Sequence, residues 1–188
     1  DINFFIQSAP PAGQRTLAPL RVISPQTIWQ NRLVGLTLNR SAVVLVDPAT
    51  DSRTNLPLPE AGMVVTPDFS NNRLWLQGTD RHTLWRMSLP DGVTTPYLNI
   101  SPNLSWPPEV FPVSENHVLV RETRGSSSRI ALYKDAALAA ELPNEPGVIL
   151  VKDSSTFFVH STGDSPKMTQ YSIGPDGITK LSEYPTNG

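Results

Sequence analysis

Asn31-Arg32-Leu33 recurs about 41 residues later as Asn72-Arg73-Leu74, within "QNRLVGLT" (30–37) and "NNRLWLQG" (71–78). A fixed period constrains a chain more than any single motif, because every copy must build the same structural unit. Looser copies follow at 115–122, "ENHVLVRE", and at 154–161, "SSTFFVHS". Each is a polar turn feeding a short β-rich run. A second series trails the first: "SAVVLVDPAT" from Ser41, "TLWRMSLPDG" from Thr83, "SRIALYKDAA" from Ser128 and "MTQYSIGPDG" from Met168. These runs end in Pro, Asp or Gly turns, the signature of a strand entering a hairpin. A third series, "SRTNLPLP", "TTPYLNIS", "LAAELP" and "ITKLSEYP", supplies outer strands. A fourth, "LRVISP", "GMVVTP", "EVFPVS" and "VILVKD", precedes the first and supplies inner ones.

The chain therefore reads as four copies of a four-stranded unit, each about 40–45 residues long. A period in the forties with four strands per unit is that of a β-propeller blade. Such a small twisted sheet cannot bury both faces alone and packs against its neighbours. The expected fold is all-β: a propeller of about four blades over 20–188, near 20–59, 60–101, 105–144 and 147–185. Residues 1–19 form an N-terminal strand and a Pro-rich lead-in. In "RLWLQG", Leu74 and Leu76 point one way while Trp75 and Gln77 point the other. "VVLV" and "TFFV" are apolar on both faces, as covered blades require. "INFFIQS" (2–8) lies outside the four copies and is expected to supplement the last blade and close the ring. "APPAGQRTLAP" (9–19) reads as a connector. Alternatives are a β-sandwich of similar strand count, which needs no period, and half of a larger propeller shared between two chains or trimmed from a longer one.

The stretch from 66 to 92 is the best-preserved copy. It runs Thr66-Pro67-Asp68, Arg73-Leu74-Trp75-Leu76, Thr79-Asp80-Arg81-His82, Leu84-Trp85-Arg86-Met87, Asp91-Gly92. This resembles TolB-type, WD40-like propeller repeats: a Ser/Thr-Pro-Asp turn, a strand, a polar hairpin, a strand with an aromatic, then an Asp-Gly turn. The last copy matches at Gly174-Pro175-Asp176-Gly177; the first and third keep the strands without the Pro-Asp turn. The Gly-His and Trp-Asp marks of true WD40 repeats are absent. The resemblance covers the chain as architecture and one blade as motif.

Composition narrows the function classes. Net charge is -2 with a pI near 5.9, unlike the basic excess of a nucleic-acid-binding domain. No Lys/Arg run suits an anionic membrane surface. Nineteen prolines among 188 residues disfavour long helices. There is no cysteine, which removes disulfides, thiolate chemistry and most structural zinc sites. No apolar run approaches the roughly 18–20 residues that span a bilayer. The start at Asp1 without methionine reads as a mature product or an excised domain.

Candidate chemistry is sparse. His82, His117 and His160 share no metal-ligand spacing. His82 falls in a hairpin turn, His117 opens a strand and His160 nears the end of one. Asp68, Asp80, Asp91 and Asp176 read as turn residues whose side chains bond their own backbone. A glycosidase would need two carboxylates about 5–10 Å apart in a pocket, and no Gly-x-Ser-x-Gly elbow marks a nucleophile. "RGSSSR" (124–129) is a hairpin tip and a weak anion loop. Trp75 and Trp85 are expected in the core. The four tryptophans, Trp29 among them, invite ligand stacking, against the stronger reading that aromatics fill space between blades, and Trp106, in "NLSWPPEVFP" (103–112), is either a binding edge or packing. "DAALAAELP" (135–143) has helix-like composition in the place of an outer strand.

No catalytic, cofactor-binding or metal residue is assigned and no cofactor is expected. The leading expectation is a non-catalytic interaction or sensory domain with a protein or peptide partner, with room for a small ligand or a homodimer, and with no nucleic acid bound by this domain. The resemblance to TolB-like repeats implies the bacterial periplasm, where such propellers scaffold envelope complexes or form the sensor part of membrane-bound transcription regulators. The competing expectation is a glycan-acting hydrolase or lyase with its site in a central funnel. The inner strands that would line it carry only Arg21, Glu109, Lys152 and Asp153 as charges.

Overall fold

The computed structural model describes residues 5–6, 15–16, 28–100, 103–145, 147–161, 165–175 and 177–186. These described residues form eighteen strands in chain order. β1 (Phe5–Ile6) and β2 (Arg15–Thr16) pair antiparallel as a two-stranded sheet. β3 (Ile28–Trp29), β4 (Arg32–Leu36), β5 (Ala42–Val46) and β6 (Arg53–Pro57) form the first four-stranded sheet, in that spatial order. β7 (Val64–Asp68), β8 (Arg73–Gln77), β9 (Thr83–Ser88) and β10 (Thr94–Asn99) form the second. β11 (Glu109–Pro112), β12 (His117–Arg124), β13 (Ser127–Lys134) and β14 (Ala137–Pro143) form the third. β15 (Val148–Asp153), β16 (Thr156–Ser161), β17 (Lys167–Gly174) and β18 (Gly177–Pro185) form the fourth. Each of the four is a meander in which sequential strands are neighbours, as the fourfold repeat predicts. Apart from one 3₁₀ turn, Phe69–Asn71, the described residues hold no helix, and the helix-like run 135–143 is a turn at 135–136 followed by strand β14.

The chain divides into two compact units, Asp1–Pro96 and Tyr97–Gly188. In the first unit, Val34 faces Leu45, Leu36 faces Val43, and Val43 faces Leu56 on one side of the first sheet. These side chains share a core with Met63, Val65, Leu74, Leu76 and Met87 of the second sheet's segment. The other side of the first sheet buries Val44 and Val46 against Leu33. In the second unit, Leu119, Ile130 and Leu132 of the third sheet share a core with Ile149, Phe157, Val159 and Tyr171 of the fourth. Phe157 and Tyr171 stack with ring centres 5.1 Å apart. Blade faces thus bury each other within each unit, which is why these strands are apolar on both sides.

The described part of 2–8 pairs with Arg15–Thr16, while the fourth sheet comprises β15–β18. The expected addition of that segment to the last blade is therefore corrected: a local hairpin partner 10 residues away in sequence wins over a remote edge. The span 9–19, expected as a plain connector, contains the partner strand. The first inner strand expected at 20–25 lies outside the described residues, as does Asp176.

Candidate interaction sites

Two buried polar hubs interrupt the apolar cores. In the second sheet, Asp68 stands opposite Arg73, and Trp75 follows two residues later on the same face. Asp68 is 4% exposed and Arg73 8%. Asp68 Oδ2 accepts from Arg73 Nε at 2.6 Å and from Trp75 Nε1 at 3.2 Å. Oδ1 accepts from Asn71 Nδ2 at 2.8 Å and Ser70 Oγ at 3.4 Å. The Arg73 guanidinium lies 5.0 Å from the Trp75 ring centre, a cation–π contact. The turn role expected of Asp68 is thereby corrected. Its oxygens take side-chain donors instead of backbone ones: Oδ1 those of the turn residues Ser70 and Asn71, and Oδ2 those of Arg73 and Trp75, which strand register brings alongside the end of β7.

Asp80 does behave as a turn residue: Oδ1 accepts from the backbone N–H of His82 at 2.8 Å and Thr83 at 3.0 Å. Those bonds, Thr83 first, hold its carboxyl below the usual aspartate range. Asp47, and Asp153, which the sequence offered as a charge on an inner strand, do the same with Ala49 and Ser155.

Next to the first hub, Asn72 takes a left-handed conformation (φ 50°), which asparagine tolerates. Its Oδ1 accepts from Trp29 Nε1 at 3.0 Å and Gln30 Nε2 at 3.2 Å, tying the first sheet to the second. A cavity of about 240 Å³ opens beside it, with Asn72, Arg73, Arg86, Ser88 and Thr95 in its walls.

The second hub is in the third sheet. Glu122 is 1% exposed. Its Oε2 accepts from Arg129 Nε at 3.1 Å and Nη2 at 3.0 Å, and Arg124 Nη2 lies 3.5 Å away. Tyr133 donates its hydroxyl to Oε1 at 2.8 Å, and Arg129 Nη1 donates to Glu141 at 2.6 Å. Burial, and then the Glu122 carboxylate, push the Tyr133 phenol well above its ordinary range. The "RGSSSR" tip is the β12–β13 hairpin, closed by the Arg124–Ser127 pair and held by Gly125 N–H donating to Ser105 Oγ at 2.6 Å. With Glu122 and Pro143 it bounds a smaller cavity of about 120 Å³. Sequence reasoning passed over Glu122 and Tyr133. The available signal was parity: Val118, Val120 and Glu122 share one face, so an apolar stripe ends in a carboxylate that must find partners.

The remaining candidates separate. His82 is partly buried with Nδ1 enclosed. His117 Nδ1 lies 3.0 Å from Ser114 Oγ, and His160 Nε2 lies 3.3 Å from Thr186 Oγ1. Among the described residues no three His, Asp or Glu side chains gather as a metal site. Trp29 and Trp75 are core, Trp85 is partly buried against that core, and Trp106 is 66% exposed. In the fourth sheet, register places Val148, Leu150, Phe158, His160, Met168, Gln170 and Tyr184 on one face, away from Phe157 and Val159. Val148, Leu150 and Tyr184 there are about half exposed.

No family model matches the chain, and no curated protein matches it by sequence. Solved structures do match. The WD40 domain of coronin from Toxoplasma gondii superposes with a TM-score of 0.60 at 9% identity, covering 84% of this chain and 43% of that one. An acylaminoacyl peptidase from Pyrococcus horikoshii gives a TM-score of 0.55 at 9% identity, covering 89% of this chain and 32% of that one. The chain thus spans less than half the length of either. At such identity the likeness is one of fold: four four-stranded antiparallel sheets of the β-propeller type.

Proposed function

We propose that this chain is a non-catalytic protein-interaction domain built on TolB-like propeller repeats, serving as the periplasmic sensory part of a membrane-bound transcription regulator. The observation that carries the interaction reading is the half-exposed apolar face of the fourth sheet, Val148, Leu150 and Tyr184. Val148 and Leu150 stand on β15 and Tyr184 on β18, with the partly buried Phe158 and Met168 on the same face between them, and exposed apolar surface on one face of a folded domain marks a contact surface. Trp106 adds a second exposed aromatic, on a connection pinned where Ser105 N–H donates to Thr123 O at 2.8 Å. The WD40 likeness supports the same reading, since such propellers present surfaces to other proteins. The regulator setting rests on the resemblance of the 66–92 repeat, in its turns and aromatics, to TolB-type blades.

A photo-crosslinking amino acid at Leu150 tests the interaction in cells carrying the full-length protein. The expected product is one discrete protein adduct, lost when Tyr184 and Val148 are both changed to Glu. An adduct to a second copy would identify the partner as the same chain. Absence of any protein adduct would sink the interaction reading. The encoding gene tests the setting: a reading frame with neither a membrane-spanning helix nor a DNA-binding domain removes the regulator role.

A further inference from the structure

We propose that the partner of the half-exposed fourth-sheet face, whose reading as an interaction surface this rests on, is a second copy of the chain, packed face to face across a twofold axis. The repeat shows what such a face is built to meet. The fifth residue of each aligned run is Val34 in the first sheet, Leu119 in the third and Phe158 in the fourth. The Val34 side of the first sheet is covered by Leu74 and Leu76 of the second, and the Leu119 side of the third by Phe157 and Val159 of the fourth. In both units the cover is the apolar side of another blade. The Phe158 side of the fourth sheet has the same chemistry, yet Val148, Leu150 and Tyr184 on it are about half exposed. A blade of this chain is the cover that matches it.

Charge selects the symmetry. A twofold contact sets a surface against itself, so a net charge there would repel its own copy. Among the described residues, no Asp, Glu, Lys or Arg stands on that face between its turns, while Lys167, Lys180 and Glu183 lie on the opposite one. Lys152 and Asp153 bound it where β15 bulges into its turn, and their charges cancel. Its polar groups bond within the sheet: Ser182 Oγ lies 3.1 Å from Gln170 Oε1 and 2.9 Å from the Tyr184 hydroxyl, and His160 Nε2 3.3 Å from Thr186 Oγ1. An apolar cover therefore strands few of them. A head-to-tail contact would instead need the Leu33 side of a first sheet, where Val44 and Val46 are already buried. Like-to-like pairing, which closes at two copies, is what remains.

The test is sedimentation equilibrium of the 188-residue chain from micromolar to near-millimolar concentration. The mass is expected to rise from 20.6 kDa toward twice that value. Leu150→Glu sets like charges against each other and should weaken the association about tenfold or more. Val64→Glu, equally exposed but on the second sheet, should leave it unchanged. Should circular dichroism show Leu150→Glu unfolded, Gln170→Cys on the middle of the face replaces it. The chain has no cysteine of its own, so a bis-maleimide can join only two copies. A covalent dimer is expected from Gln170→Cys and none from Val64→Cys. A chain that stays monomeric throughout, a folded Leu150→Glu that associates as wild type does, or a Gln170→Cys that yields no covalent dimer overturns the proposal. For a monomeric chain, the photo-crosslink at Leu150 separates the two readings: an adduct to a different protein leaves the interaction surface standing, and no adduct removes both.

Discussion

Cutting Asp68 back to alanine takes from the Arg73 guanidinium, which is 8% exposed, its buried ion pair with Asp68. Breaking a buried pair from one side costs about 3–5 kcal/mol, because the remaining charge stays desolvated. Urea unfolding of Asp68→Ala should show that loss, while Asp80→Ala, in an exposed turn, should cost about 1 kcal/mol or less. Glu122→Gln belongs with the first class, since Arg129 and Arg124 both face that carboxylate. Two tyrosines report on carboxylate contacts, Tyr133 in the Glu122 hub and Tyr171 outside both hubs. Burial and then a carboxylate partner raise the phenols of Tyr133 and Tyr171, the latter donating to Glu145. Of the four tyrosines, these two should ionise late in an absorbance titration. A raised phenol stabilises the fold below the unfolded value near 10 and ceases to as pH climbs past it, so alkali should unfold the protein as they ionise. Late ionisation of only the other two would contradict the hub geometry.

Among turns and strands, two glycines are irreplaceable for different reasons. Gly147 enters β15 at φ 138°, and a Cβ there would stand 2.4 Å from the carbonyl oxygen of His160 on the neighbouring strand. Gly147→Ala should cost about 1–3 kcal/mol in thermal unfolding. Gly92, at φ 70° in the Asp-Gly turn, would press a Cβ against Leu56 of the first sheet, 3.0 Å away, so its substitution disturbs two blades. The sequence made that Asp-Gly turn legible, together with the strand runs, because turn chemistry and period-2 patterning are local. It also made Trp75 legible as core. It read only part of Asp68, since a Pro-Asp turn shows nothing of the Arg73 that register brings opposite. It was silent on Glu122 meeting Tyr133, which are separated by 11 residues and a hairpin. The pairing of Phe5–Ile6 was missed because two adjacent short runs can pair with each other as readily as with a distant edge.

At the scale of the whole molecule, acid is the condition to which the carboxylates respond together. Lys180, then Lys167, hold Glu183 down from 4.5 to about 2, and backbone N–H groups depress Asp47, Asp80 and Asp153. A depressed carboxylate contributes stability that is complete above its unfolded value and lost as pH falls through its folded one. Unfolding free energy should therefore decline from about pH 4.5 toward about pH 2. Glu183→Gln should flatten part of that slope, and added salt should shrink the difference, because these groups are exposed. A wild-type curve flat across this range would refute the assignment. The shared core of the first unit has a consequence for synthesis as well. The first sheet is complete once Pro57 has been made, yet the apolar side carrying Val34, Leu36, Val43 and Leu45 is covered by Leu74, Leu76 and Met87. At ~5–20 residues per second, the roughly 30 residues between take about 2–6 s to appear. For those seconds the nascent chain carries a finished sheet with an open greasy side, so the pace of the ribosome through 58–87 sets how long a chaperone, or a neighbouring nascent chain, has to seize it.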